Sequence, residues 1–185
     1  MRTLAILVTA TLLSANLLTE NDLPKRYQAA DRNPYQTVID ALQSETCRLP
    51  QPAKPERATF VTDDDYALDV ESLTEHLARP GATAARELVA QTAALPERCP
   101  TFETPRYTVH VKPQPMPAIG DASTALRVVF WVKAAGSQTT YVDVMEAEIA
   151  TVAHGDQHVT VVLLGYYAKH GVDLAAVTRT AVTKA

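Results

Sequence analysis

The chain has 185 residues, 46% hydrophobic and 21% charged, which suits one globular domain of ordinary size and excludes a disordered chain. Its 17 Lys and Arg against 21 Asp and Glu leave a formal charge of −4 with no basic stripe, so nucleic acid is not expected as a partner. Three Phe and one Trp beside seven Tyr, with Val, Ala and Thr abundant, fit a modest β-rich core closed by alanine-rich helices.

Arg2, the apolar run Leu4 to Leu13 and the small pair Ser14 and Ala15 have the layout of a secretory signal peptide. Residues 1–15 are therefore expected to be a signal peptide and 16–185 the exported domain; the alternative is an N-terminal strand or helix of the fold. The run is far shorter than the roughly 18 to 20 residues that cross a bilayer, and no later segment supplies them, so no transmembrane segment is expected. Leu13, Ser14 and Ala15 would open a lipoprotein box, but Asn16 stands where the lipidated Cys must be. Cys47 and Cys99 are too far apart for a redox or zinc motif. An even count with no third partner points to one disulfide, the alternative being two buried thiols.

Asn33 and Pro34 read as N-cap and first residue of a helix whose buried stripe is Val38, Ile39, Ala41 and Leu42. Pro50, Pro52 and Pro55 then impose a loop or a stiff extended connection. Ala58 to Thr62 is a short strand candidate. Ser72 and Glu75 have the spacing of a capping box, which predicts a helix that stops at Pro80 and Gly81. A second helix follows from about Ala82 to Leu95, and Cys99 lies just beyond it. From residue 106 the period changes to two. Tyr107 to Val111 alternates until Pro113, Pro115 and Pro117 break the run, and Gly120 and Asp121 make a turn. Three strong strands, Leu126 to Val132, Thr139 to Val152 and Val159 to Leu164, are joined by two hairpins, the second turning at Gly155 and Asp156. Asp173 caps a last helix carrying Leu174, Val177 and Ala181.

The expected register sets Trp131 beside Tyr141, Val129 near Asp143, Ile149 opposite Val162 and Ala147 opposite Leu164. Apolar parity then switches between Val144 and Met145, from which a bulge is expected there rather than a sheet covered on both faces. Helices before and after a run of antiparallel strands give an α+β domain, an antiparallel sheet with helices packed on one face.

No glycine-rich phosphate loop, metalloprotease helix motif or nucleophile elbow is present. His154 and His158 are four apart, but the turn between them places their rings on opposite sides of the ribbon, so neither metal nor any other cofactor is expected. His76, His110 and His170 are isolated. The run Asp63 to Asp65 lacks the spacing of a calcium loop, and Glu146 and Glu148 read as the wet face of a strand. The single Trp131 together with Tyr141, Tyr166 and Tyr167 lies on the C-terminal sheet, where aromatics with polar tips suit a pocket. Trp131, Tyr141 and Tyr166 are the candidate ligand-binding residues.

Leu17 to Thr19 with Leu23 and Pro24, an early Cys, the helix closing at Cys99 and Pro100, the Gly120 to Arg127 segment and the hairpin at Gly155 and Asp156 resemble the sensor-like extracellular domains of actinobacteria. That group includes secreted proteins, lipoproteins and the extracellular sensor domain of the mycobacterial receptor Ser/Thr kinase H. The resemblance spans residues 17–183. It implies an antiparallel sheet flanked by helices, a cleft for an extracellular ligand and no catalysis. Two departures stand out: the kinase domain has two disulfides where this chain has Cys for one, and Asn16 replaces a lipobox Cys. The expected function is thus that of a secreted, non-enzymatic ligand-binding or sensor-like envelope protein whose partner is a small molecule, a peptide or an envelope protein. The alternatives are a partner-docking envelope protein and an extracellular enzyme with a dispersed His and acid site.

Overall fold

The structure is a computed structural model describing residues 16–43, 47–62, 70–133, 141–166 and 171–185, without the side chains of 141–143. The expected signal peptide, Asp63 to Asp65, Tyr167 and His170 lie outside the described residues. The strands are β1 (Tyr27–Ala29), β2 (Glu56–Thr62), β3 (Ser72–Ala78), β4 (Thr101–Glu103), β5 (Tyr107–Gln114), β6 (Ala122–Lys133), β7 (Tyr141–His154) and β8 (Gln157–Tyr166). They form one 8-stranded sheet in the order β1-β2-β3-β8-β7-β6-β5-β4. Every neighbouring pair is antiparallel. The helices are α1 (Gln36–Ala41), α2 (Ala82–Ala93), α3 (Leu95–Arg98) and α4 (Leu174–Lys184). The α+β class and the antiparallel sheet are those expected, and Cys47 and Cys99 are joined, with their Cα atoms 6.0 Å apart.

Side-chain alternation along β8 explains how the layers assemble. Val159, Val161 and Leu163 face one core with Leu73, Leu77, Ala150 and Val152, closed by Leu17, Leu18 and Leu23 and by Leu174, Val177, Ala181 and Val182 of α4. Val162 and Leu164 face the other with Leu126, Val128, Phe130 and Ile149, closed by Tyr35 and Val38 at α1 and Leu95 of α3. On that second side Ala85 and Val89 of α2 pack on Ala153. Helices α1 to α3 thus share one face, and α4 with the N-terminal segment lies on the other, so the helices flank the sheet on both faces and not on one as expected. Fully buried side chains such as Phe130 and Leu163 each stabilise the fold by roughly 1.5–3 kcal/mol.

Three sequence readings are corrected. Residues 72–78 are a central strand, not a capped helix. Leu73, Glu75 and Leu77 alternate with Ser72, Thr74 and His76, and β2 and β8 supply ladder bonds on both sides. The β6–β7 register is displaced by three residues, Trp131 pairing with Val144 and Val129 with Glu146. The expected register would set Arg127 opposite Met145 and Leu126 opposite Glu146 on the covered face. The observed one puts Phe130 opposite Met145, Val128 opposite Ala147 and Leu126 opposite Ile149, which spares the burial of an unpaired charge. No bulge separates Val144 from Met145; the one irregularity of this pair lies between Val132 and Lys133. The parity switch instead reflects a sheet buried on both faces.

The β7–β8 register is as expected, Ile149 opposite Val162 and Ala147 opposite Leu164. Gly155 takes φ +57° at the turn between them, a left-handed value that favours Gly. Strand β5 continues through Pro113 to Gln114. The Val111 N–H donates outward to Pro100 O, so the same-side position at Pro113, beyond the end of β4, needs no donor. Asn33 accepts the Tyr35 N–H on Oδ1 at 2.8 Å and so opens the turn ahead of α1, whose regular part begins at Gln36.

Candidate functional site

On the face that carries α4, the helix covers β7 and β8, while the sheet beyond it runs on through β6 and β5. Cross-strand pairing arranges this part in rows. Lys112, Arg127 and Glu148 form one row, His110, Val129 and Glu146 the next, and Thr108, Trp131 and Val144 the third. Glu146, 4% exposed, accepts from Arg127 Nη2 at 2.8 Å. Gln114 Nε2 donates to Glu148 Oε1 at 3.0 Å.

Where these rows meet α4 a cleft of about 750 Å3 opens. Its floor is Gln114 and Glu148, one wall is Pro115, Met116 and Pro117, and the other is the segment from Gly171 to Ala175 that leads into α4. Each wall has a local cause. The prolines hold the β5–β6 connection stiff, and Met116 and Ile119 anchor it on the core. Gly120, at φ +64°, turns the chain so close to β7 that a Cβ would meet Ala153 O at 2.5 Å. Opposite, Asp173 Oδ1 accepts the Ala176 N–H at 2.7 Å and fixes the first turn of α4. The Gly171 N–H donates to Glu71, which also accepts from Tyr27 Oη at 2.8 Å and Arg26 Nη2 at 2.5 Å. That buried carboxylate binds the α4 lead-in to β1 and β3. A second hollow of about 760 Å3 lies at the opposite edge, between Leu17 to Asn21 and the β1–β2 edge.

The aromatic candidates are not gathered in one place. Trp131 is 38% exposed at the far end of the rows, four residues from Arg127 along β6 or roughly 13 Å. Tyr166 pairs with Met145 and so points to the other face, where its ring meets Tyr35 edge-on at 6.0 Å. Tyr141 pairs with Lys133 through the backbone, and its side chain lies outside the described residues. The cleft residues come from three separate stretches without a common motif. In the sequence only the proline spacing at 115 and 117 and the Asp173 cap mark its walls.

His154 and His158 point to opposite faces, as the turn geometry requires. His158 is not a solvated hairpin residue, however. It is 1% exposed, with no hydrogen-bond partner for either ring nitrogen, and burial, with His76 nearby, lowers its pKa to about 4. Burial and the Arg57 charge lower that of His76 to about 4 as well. Across the sheet, burial raises the pKa of fully buried Glu75 to about 7 although Leu18 N–H donates to its Oε2 at 2.6 Å. Glu146 is likewise buried rather than wet. No three His, Cys, Asp or Glu among the described residues are grouped to hold a metal ion. No described helix is long and apolar enough to cross a membrane.

No protein-family model matches the sequence, and no curated protein matches it. Among solved structures the chain is similar to the crystal structure of the extracellular domain of PknH from Mycobacterium tuberculosis. The TM-score is 0.50 at 16% identity, over 92% of this chain and 93% of that one. The likeness is one of fold, and it falls within the group that the sequence resembles.

Proposed function

We propose that this chain is an extracellular, sensor-like domain of an actinobacterial envelope that binds a small molecule or peptide between Pro117 and α4 and catalyses no reaction. The cleft carries this reading. Its volume is in the range of small-molecule sites, and stiff, anchored walls keep the cost of ordering on binding small. The extracellular part is supported by the Cys47–Cys99 disulfide, a bond of oxidising compartments, by the signal-peptide layout of residues 1–15, and by a shared fold with an extracellular domain. Trp131, on the same face, is the proposed second contact for a ligand long enough to leave the cleft along the Arg127 row.

Native mass spectrometry of the full chain recovered from the medium of an actinobacterial host tests the reading. Expected is an added mass that denaturation releases unchanged and that Ala175→Trp, a bulky change in the cleft lining, removes without lowering the melting temperature. Release of a chemically altered species, or turnover in a hydrolase panel, would contradict it.

A further inference from the structure

The chemistry of the cleft wall is one-sided. Its described polar side chains are Glu148, Asp173 and Gln114, two carboxylates and an amide. Gln114 spends one of its two N–H donors on Glu148, while its Oε1 is sequestered without a partner. Among the described side chains the cleft therefore presents two carboxylates, one remaining amide N–H and no cation. The nearest cations stand in Glu148's own row but outside the lining: Arg127, directly opposite Glu148 on β6, is bonded to Glu146, and Lys112 is exposed on β5. The positive end of the α4 dipole is met by its own cap, Asp173. The remaining lining, Pro115, Met116, Pro117, Val172, Leu174 and Ala175, is apolar. A carboxylate ligand would face two like charges here, and a neutral apolar one would leave the acceptors desolvated and unpaired.

We infer that the cleft takes an organic cation, an ammonium or guanidinium group on an apolar body, its N–H donors directed to Glu148 and Asp173 and its apolar part laid on the Pro115–Pro117 wall. This rests on the reading of the cleft as the ligand site. It goes beyond that reading by fixing the ligand's charge.

Three probes of one size separate the two claims: benzamidine, benzoate and benzamide, titrated into the full 15N-labelled chain with amide shifts recorded. Expected are shifts from benzamidine confined to the amides of residues 114, 116, 148 and 171–175, weakened by salt, and about tenfold weaker binding in Glu148→Gln, the size of one lost charge-assisted hydrogen bond. Asp173→Asn, which keeps a capping side chain, weakens it similarly while the helix amides stay in place. Benzoate or benzamide shifting the same amides at equal or lower concentration would overturn the charge assignment and leave the cleft standing. No shift in these amides with any of the three would overturn both.

Discussion

Three buried titratable side chains govern how this protein answers to pH, and they pull in opposite directions. His76 and His158 are neutral in the fold, with pKa values lowered to about 4 by burial. The unfolded chain binds their protons from near pH 6.5, so the stability they contribute is present above that pH and is lost as pH falls toward 4. Glu75 is raised to about 7. The folded state keeps its proton where the unfolded chain has released it, so its contribution is full below pH 4.5 and is lost as pH rises through 7, an effect of roughly 3 kcal/mol. Across pH 4.5–6.5 the slopes oppose. Urea midpoints measured between pH 4.5 and 8 are therefore expected to fall more steeply on acidification in Glu75→Gln than in the parent, and less steeply in His158→Leu. Parallel curves for all three proteins would show that neither site titrates with folding. At this scale the sequence misled in a definite way: Glu75 reads as half of a capping box and His158 as a polar hairpin residue, because nothing local shows that the segment at Leu18 and α2 pack over them.

At the scale of elements, α1 is the most dependent part of the fold. Its six residues are too few to be helical alone, and it is held by Val38 and Tyr35 in the core and by the disulfide from Cys47 to the end of α3. With a separation of 52 residues, the chain-entropy model gives that bond about 4 kcal/mol. Reduction, or Cys47→Ala with Cys99→Ala, is expected to lower stability to urea by about that amount. It should also speed amide exchange in 36–41 and 95–98 while β7 and β8 keep their protection; an unchanged urea midpoint would contradict the role. In α4, Asp173→Ala is expected to cost about 1 kcal/mol in urea unfolding and Asp173→Asn almost nothing; equal losses would deny the cap. The Asp173 cap, the α2 helix and the β7–β8 hairpin were legible because each is written in adjacent residues. Residues 72–78 were not, since a four-residue spacing typical of a helix start sat inside a period-two pattern. The β6–β7 register was not legible either, because it is decided by which side chains lie under α1 and α3.

For the whole molecule, the class, the antiparallel sheet and the disulfide follow from the order of patterns along the chain. The cleft does not, because Gln114, Glu148 and Asp173 meet only after β5, β6 and β7 pair and α4 docks beside them. Aromatic content drew attention to Trp131, Tyr141 and Tyr166, yet strand alternation alone sends Trp131 and Tyr166 to opposite faces once the register is known. What unites the molecule is a rigid, doubly covered sheet with one flank of a face left open beside a capped helix. The most direct test of that account is to add the low-mass fraction of an actinobacterial culture medium to the full 15N-labelled chain and map the amide shifts. The account predicts shifts clustered at the amides of residues 114, 116, 148 and 171–175 and absent in Ala175→Trp. Shifts clustered instead at the β1–β2 hollow, or shifts that Ala175→Trp leaves untouched, would contradict it.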